Sequence, residues 1–175
     1  MKKLIPICLV ALFSVSAFAQ QYTVSVSFLQ RQPVVSLRAT TPTIQLENTI
    51  DNLFSNVYSR LDALGYEATG APFVRYYSIN AGITTLEAGV PVAFHPAGIP
   101  FEMRNYLPGG QVASTVHYGS GALIDNAYNA IETYMYRYGK FDAGAAWEIY
   151  LDDTDTTPLH LQRTQVVQPI SGIAP

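Results

Sequence analysis

The chain carries the segment Trp147-Glu148-Ile149-Tyr150, and an earlier segment, Phe73-Val74-Arg75-Tyr76, has the same pattern of aromatic and apolar residues. Both segments favour a β-strand, because aromatic and β-branched side chains fit a pleated, partly buried surface. When the two segments are aligned, Leu86 to Val92 also falls over Leu161 to Val167. The sequence therefore predicts one structural unit that occurs twice.

Further elements surround each segment in the same order. Apolar residues recur at helical spacing before each one, and each helix pattern ends at a glycine, Gly65 or Gly139, which suits a helix C-terminus. Period-two alternation precedes the first helix and predicts extended chain. The predicted strands are 22–28, 34–38, 72–77 and 87–94, then 101–106, 111–118, 146–151 and 161–170, and the predicted helices are 45–64 and 121–138.

The repeated order predicts an α+β fold built from duplicated strand-helix-strand-strand modules. The modules cover about residues 20–95 and 101–172, and a linker with Pro96, Gly98 and Pro100 separates them. We expect a pseudo-twofold relation between the modules. In this arrangement one antiparallel sheet carries the two main helices on one face and forms a central cleft, all within a single domain of residues 20–175.

The first residues have the features of an export signal. Lys2 and Lys3 precede an apolar stretch from Leu4 to Phe13, and Ala17-Phe18-Ala19 fits the small-x-small pattern of a cleavage site. The apolar stretch is shorter than the roughly 20 residues that span a bilayer. We therefore predict a signal peptide of residues 1–19, cleavage after Ala19, no stable membrane insertion, and a periplasmic or secreted bacterial protein.

The composition excludes several classes of protein. The 175 residues are 49% hydrophobic and only 13% charged, which is untypical of a disordered chain or a coiled coil. The formal net charge is −3, so there is no basic surplus for a nucleic acid. The single cysteine, Cys8, lies in the predicted signal, so we expect a mature chain without a disulfide or a thiolate metal site.

Glu148 is the most unusual residue of the predicted strands because it interrupts an apolar segment. Alternation places Trp147 and Ile149 on one face, which we expect to meet the helices, and Glu148 and Tyr150 on the other face, which would line the cleft. A carboxylate among aromatic rings has a raised pKa unless a cation or hydrogen-bond donors accompany it. Such a group binds a cationic ligand or acts as a general acid or base. The alternative is a solvated residue on the open face of the sheet.

Aromatic residues complete the candidate site. Tyr76 is equivalent to Tyr150, so both are expected near the pseudo-twofold axis, either beside Glu148 or simply as cross-strand packing partners. Arg75 occupies the position of Ile149, which indicates that the strand ends early there or that Arg75 pairs with an acid. Tyr118 is a further bulky ring expected at the cleft.

The second helix carries four tyrosines, too many for one core stripe. We expect Tyr134 and Tyr138 in the core, and Tyr128 and Tyr136 free to contact a ligand or partner.

Other candidate sites carry weaker signals. The three histidines, His95, His117 and His160, lack a second ligand at metal spacing, so we expect no metal and no cofactor. The acidic stretch 152–158 lacks the glycine and the distant glutamate of a calcium loop, and it favours a turn with Asx-type hydrogen bonds.

Two stretches resemble a known family. The segment from Ala146 to Pro158 resembles the signature of GyrI-like small-molecule-binding domains, also called bacterial transcription activator effector-binding domains, and the segment from Leu61 to Tyr77 is similar to their first module. The resemblance covers residues 21 to 172. It implies the duplicated fold and a central cleft with an acidic residue, here Glu148, that receives cationic or aromatic ligands.

The resemblance implies two further activities. Some family members are hydrolases of reactive small molecules, for which Glu148 would activate a water that a tyrosine positions. Others bind a protein, DNA gyrase included. Because this sequence shows an export signal and no DNA-binding segment, we expect neither transcriptional regulation nor gyrase binding here.

These observations predict an exported protein that binds a lipophilic, aromatic or cationic small molecule in a cleft with one carboxylate. The predicted ligand-binding residues are Glu148, Tyr150, Tyr76, Trp147 and Tyr118. The alternatives are a hydrolase with Glu148 as general base and Tyr150 beside it, and an envelope module that binds a protein partner through exposed tyrosines such as Tyr136. We expect binding rather than catalysis.

Overall fold

The computed structural model describes residues 21–172. The predicted signal peptide, residues 1–19 with cleavage after Ala19, lies outside the described residues.

Each module contains two strands, a helix and two further strands, and the second module has one additional short strand directly after its helix. In the first module these are β1 (Ser25–Leu29), β2 (Gln32–Pro42), α1 (Leu46–Ala63), β3 (Phe73–Asn80) and β4 (Ile83–Pro91). The second module contains β5 (Arg104–Leu107), β6 (Gly110–Tyr118), α2 (Asp125–Arg137), β7 (Lys140–Asp142), β8 (Trp147–Tyr150) and β9 (Arg163–Gly172).

The end of α1 shows how the sequence fixes an element. Gly65 adopts a positive φ of 69°, and its N–H donates to the carbonyl of Asp62 at 3.0 Å. The N–H of Tyr66 donates to the carbonyl of Leu61 at 3.0 Å, so the two bonds form a Schellman cap. Among residues 21–172, no helix combines the length and apolarity needed to span a membrane.

The sheet order is β1-β6-β9-β8-β3-β4-β2-β5, with β7 added beside β9. This order is symmetric about the central β3–β8 pair, where Val74 lies opposite Glu148. All of the pairings are antiparallel. The predicted α+β duplication is therefore confirmed, and the structure adds one feature: β1 pairs with β6 and β5 pairs with β2, so each module donates its first strand to the other.

Both helices pack on one face of the sheet. On that face, α1 buries Val57 and Leu61 against the first module, and α2 buries Ile131 and Met135 against the second. Glu148 lies on the same face because it is the cross-strand partner of Val74 and Val166, which pack in the helix-facing clusters.

The opposite face of the sheet is also buried. One cluster there joins residues from the two ends of the strand order, Leu29 and Leu107, with the central Trp147 and Ile149, so the sheet curls over them. The prediction that Trp147 and Ile149 meet the helices is wrong. An apolar stripe does not identify the helix-bearing face when the curl of the sheet covers the other face as well.

Candidate functional site

A buried carboxylate surrounded by tyrosines lies at the centre of the sheet. Glu148 is only 7% exposed. The Tyr128 hydroxyl donates to Glu148 Oε1 at 2.9 Å, and the Tyr150 hydroxyl donates to Glu148 Oε2 at 3.4 Å. Tyr76 lies close enough for its hydroxyl to interact with both Glu148 and Tyr150. We call these four residues the Glu148 cluster.

Three elements position the Glu148 cluster. Glu148 and Tyr150 are two residues apart on β8, so they share one face of that strand, and Tyr76 on the neighbouring β3 lies two residues beyond Val74, the partner of Glu148. Tyr128 comes from the first turns of α2 and approaches from above the sheet. The cluster is therefore centred on the pseudo-twofold axis.

Burial is the largest influence on the charge of Glu148, and it raises the pKa of this carboxyl. The Tyr128 and Tyr150 hydroxyls oppose that rise by donating to the carboxylate, while the charge of Asp125 adds to it. Within residues 21–172 the ion pairs are Arg38–Glu87 at 4.0 Å and Arg163–Asp152 at 2.8 Å. Neither includes Glu148, so in the described structure no cation compensates this buried carboxylate.

The tyrosines of the cluster remain protonated donors. Burial raises the pKa values of Tyr76 and Tyr128, and the neighbouring Glu148 raises them further. For Tyr150 burial is again the first cause, followed by Tyr76 and Glu148. The cluster therefore surrounds a single acid with neutral hydroxyls, so the negative charge of the ionised carboxylate is not balanced by a cation of the described residues.

A cavity of about 550 Å³ adjoins the cluster at Tyr150. Phe54 and Tyr58 of α1 form part of its wall, and the Phe54 ring meets the Tyr150 ring edge-on with centroids 6.3 Å apart. Its lining includes four carboxylate residues, so we call it the acidic cavity: Glu47, Asp51, Asp152 and Asp153.

A second cavity, of about 410 Å³, adjoins the cluster at Tyr128 and is bounded by Ile131, Met135 and Phe141. Cavities therefore flank the Glu148 cluster on two sides, and a tyrosine of the cluster lines each of them.

The structure brings together three of the five predicted site residues, Glu148, Tyr150 and Tyr76. Trp147 is buried on the opposite face of the sheet, so it does not line the cleft. Tyr118 is 54% exposed and lines a different cavity, so its predicted place at this site is also wrong. Tyr118 lies near the end of β6, on the face of that strand opposite to Ala113.

Tyr128 is the site residue that the sequence prediction did not include. The density of tyrosines in the second helix was the available signal, and it indicated Tyr128 only as free to contact a ligand or partner. Tyr136 is 92% exposed, and its role toward a protein partner stays a prediction. Tyr138, expected in the core, is 57% exposed because it lies at the C-terminus of α2.

Arg75 follows neither of the two predicted alternatives. The strand continues past it to Asn80, and the guanidinium lies over the rings of Tyr77 and Trp147, with 5.0 and 6.0 Å to the centroids. Arg75 therefore points away from the helices and stacks on aromatic faces.

The remaining candidates have structural partners. His117 is buried between Tyr22 and the carbonyl of Ser120, and the described residues contain no group of three or more potential metal ligands. In the acidic stretch the N–H of Asp155 donates to Asp153 Oδ1 at 2.9 Å, which confirms the predicted Asx-type turn.

No protein-family model and no curated protein matches the sequence. Solved structures do match. The EcmrR–DNA complex in EcmrR-RPo aligns with a TM-score of 0.73 and 16% identity over 87% of this chain, and this chain covers 58% of that one. The isolated EcmrR C-terminal domain aligns with a TM-score of 0.66 and 15% identity over 88% of this chain and 100% of the domain.

Two further structures share the fold. SAV2435 bound to tetraphenylphosphonium has a TM-score of 0.55 and 14% identity over 88% of this chain and 96% of its own. A hydrolase from Listeria innocua aligns with a TM-score of 0.61 and 11% identity over 88% of this chain and 94% of its own. At these identities the likeness concerns the fold, and it confirms that the chain has a GyrI-like fold.

Proposed function

We propose that this protein binds a lipophilic, aromatic cation that enters through the acidic cavity beside α1, with Glu148 as the counter-ion. One observation carries the proposal: Glu148 is a buried carboxylate that only neutral tyrosine hydroxyls accompany, with no cation beside it in the described structure. A bound cation would supply the missing charge in a site of low polarity, where such pairing is strong.

The acidic cavity provides a route for such a ligand. Asp152 is paired with Arg163, but Glu47, Asp51 and Asp153 belong to neither ion pair of the described residues and attract cations. The rings of Phe54, Tyr58 and Tyr150 suit the cation–π and stacking contacts of an aromatic cation. Tyr150 separates this cavity from Glu148, and its hydrogen bond to Glu148 is longer than that of Tyr128, 3.4 against 2.9 Å. We infer that the ligand displaces the Tyr150 hydroxyl and reaches the carboxylate from the α1 side.

The comparison supports the chemistry of the ligand. SAV2435, which shares the fold, was solved with tetraphenylphosphonium, a lipophilic aromatic cation. That compound is therefore a suitable probe.

Isothermal titration calorimetry with tetraphenylphosphonium tests the proposal. We expect Glu148→Gln to raise the Kd at least tenfold, which corresponds to about 1.4 kcal/mol, because the variant keeps the shape of the side chain and removes its charge. The matched control is Glu102→Gln, which removes an exposed carboxylate from the turn before β5 and leaves the Kd unchanged. An equal Kd for wild type and Glu148→Gln would refute the role of Glu148.

The raised pKa of Glu148 favours hydrolysis as a second candidate function, since a carboxyl with a pKa nearer neutrality is a better general base. In this case Glu148 would activate a water and Tyr150 would position it. Turnover assays with epoxides and activated esters distinguish the two functions. A hydrolase loses turnover in Glu148→Gln, whereas a binding protein shows none in either form.

We also propose that the protein acts outside the cytoplasm, on the strength of its N-terminal sequence alone. Cell fractionation followed by N-terminal sequencing tests this point. Cleavage after Ala19 leaves Gln20 as the first residue of the exported protein.

A further inference from the structure

A cavity of about 880 Å³ lies beside α2, away from the Glu148 cluster. None of the four cluster residues lines it. It is an open groove between the outer side of α2, the chain before β1, and the end of β6, and we call it the α2 groove. Its lining includes Tyr22, His117, Asn126, Asn129, Tyr134 and Arg137.

The two modules differ at this place. Beside α1, Ile99 and Met103 of the segment that precedes β5 are buried with Val57 and Leu61, and Arg60 Nη2 donates to the carbonyl of Gly98. The inter-module linker therefore covers α1, whereas the corresponding side of α2 borders the groove. In the described part of the chain before β1, which begins at Gln21, Tyr22 and Val24 form part of the wall of the groove.

Aromatic rings with fixed positions form part of the groove. The Tyr22 hydroxyl and His117 Nδ1 are 2.8 Å apart, and His117 Nε2 is 2.9 Å from the carbonyl of Ser120. Since a carbonyl only accepts, Nε2 carries the proton and Nδ1 accepts from Tyr22, which holds the tyrosine ring in place. The Tyr134 and Tyr138 rings lie at the other end with centroids 4.5 Å apart.

The charge of the α2 groove is opposite to that of the acidic cavity. Among the described residues that line it, Arg137 is the only permanently charged one, and no carboxylate is present. Arg137 is exposed and belongs to neither of the ion pairs of residues 21–172. Its guanidinium therefore offers a planar fork of donors that matches a carboxylate. The amides of Asn126 and Asn129, which line the same groove about two to three helical turns before Arg137, offer further donors and acceptors.

We propose that the α2 groove is a second binding site, for a small organic carboxylate that contains a ring. Arg137 binds the carboxylate, the tyrosine rings pack against the ring of the ligand, and the asparagines bind its polar substituents. Aromatic acids and sugar acids share this chemistry, since both combine a carboxylate with a ring that has an apolar face to pack on tyrosine. The site is independent of Glu148 and of the proposed cation.

Titration of the full chain, and of the chain that begins at Gln20, with 4-hydroxybenzoate and with glucuronate tests the proposal. Chemical-shift changes at the α2 groove report binding by NMR. We expect saturation by at least one of the two acids, and a tenfold or greater rise in its Kd for Arg137→Gln. The acid that saturates the groove identifies the source of the carboxylate.

Control variants keep this proposal separate from the proposed cation site. Arg31→Gln removes an exposed arginine outside the groove and should leave the Kd unchanged, as should Glu148→Gln. Binding that Arg137→Gln does not weaken overturns the proposal, and so does the absence of saturation by both acids at millimolar concentration. If Glu148→Gln leaves the Kd for tetraphenylphosphonium unchanged while Arg137→Gln weakens binding of the acid, only the proposed cation site is overturned.

Discussion

At the scale of single residues, the pseudo-twofold symmetry is broken where Val74 faces Glu148. Val74 is fully buried and contributes to the apolar cluster beneath α1, while its equivalent in the other module carries the acid. Two carboxylates at directly opposed positions would repel each other and could not both ionise. A single acid at the axis is therefore the arrangement that lets both modules contribute tyrosines, Tyr76 and Tyr150, to one charge.

The pH dependence of stability is a prediction at this scale. Burial raises the pKa of Glu148, so the folded protein binds this proton more tightly than the unfolded chain does. The resulting contribution to stability is complete below the ordinary pKa of a glutamate, and it is lost as the pH rises through the raised pKa of the folded state. Because glutamine does not ionise, the variant does not lose this contribution. We therefore expect the Tm of Glu148→Gln minus the Tm of wild type to become more positive from acidic to neutral pH.

Thermal unfolding between pH 4 and pH 8 measures this effect. Glu102→Gln serves again as the control, and its Tm difference from wild type should stay flat. A Tm difference for Glu148→Gln that is constant, or that decreases with pH, would show that the carboxyl is not destabilised when charged.

At the scale of elements, the close approach of β2 and β4 depends on a glycine. Gly89 lies between Ser36 of β2 and Phe73 of β3 in the ladder. A Cβ at this position would lie 2.4 Å from both the Ser36 Cβ and the carbonyl oxygen of Val35. The backbone itself is in the way, so rotation of a neighbouring side chain does not relieve the clash.

We therefore expect Gly89→Ala to destabilise the protein by about 2–3 kcal/mol, the upper range for overpacking a buried site. Urea denaturation measures the change in the free energy of unfolding. The matched variant is Gly121→Ala, where the added methyl group meets nothing within 4 Å and φ is not in the left-handed region. This control should lie within about 0.5 kcal/mol of wild type, and equal losses for both variants would contradict the argument.

At the scale of the whole molecule, the exchange of first strands makes the two modules depend on each other. In a chain cut within the linker, β1 of the first module loses its partner β6, and β2 loses its partner β5. The cut also removes the contact between β3 and β8 and the cluster that joins Leu29 to Trp147. In neither half is the sheet still covered on both faces, because the cluster on the face away from the helices contains residues of both modules.

We predict that a fragment of residues 21–95 does not fold as a monomer, whereas co-expression with a fragment of residues 96–172 restores a folded complex. Circular dichroism and size-exclusion chromatography measure both outcomes. A monomeric fragment with a cooperative unfolding transition would show that a module is stable alone. A dimer of the fragment, in contrast, agrees with the prediction, because a second copy replaces the missing strands.

The predictable part of the site came from local patterns. The repeat aligned Tyr76 with Tyr150, and the interruption of an apolar strand identified Glu148. The sequence pattern does not place Tyr128 at Glu148, because the rotation of α2 about its axis depends on how Ile131 and Met135 pack against the sheet. The expectation that Tyr118 lies at Glu148 is wrong, since its position at a strand end does not reveal which cavity it borders.

The sequence by itself determined the duplicated α+β order, the glycine that ends α1, and the strand in which the acid stands. These features depend on residues close together in the chain, through hydrogen-bonding geometry and hydrophobic periodicity. Only the tertiary structure decided which face of β8 meets the helices, how β1 and β5 exchange partners, and which tyrosines reach Glu148. Those outcomes depend on contacts between distant segments: the sheet curls and buries both of its faces, and alternation along one strand then no longer distinguishes the helix-bearing face from the other.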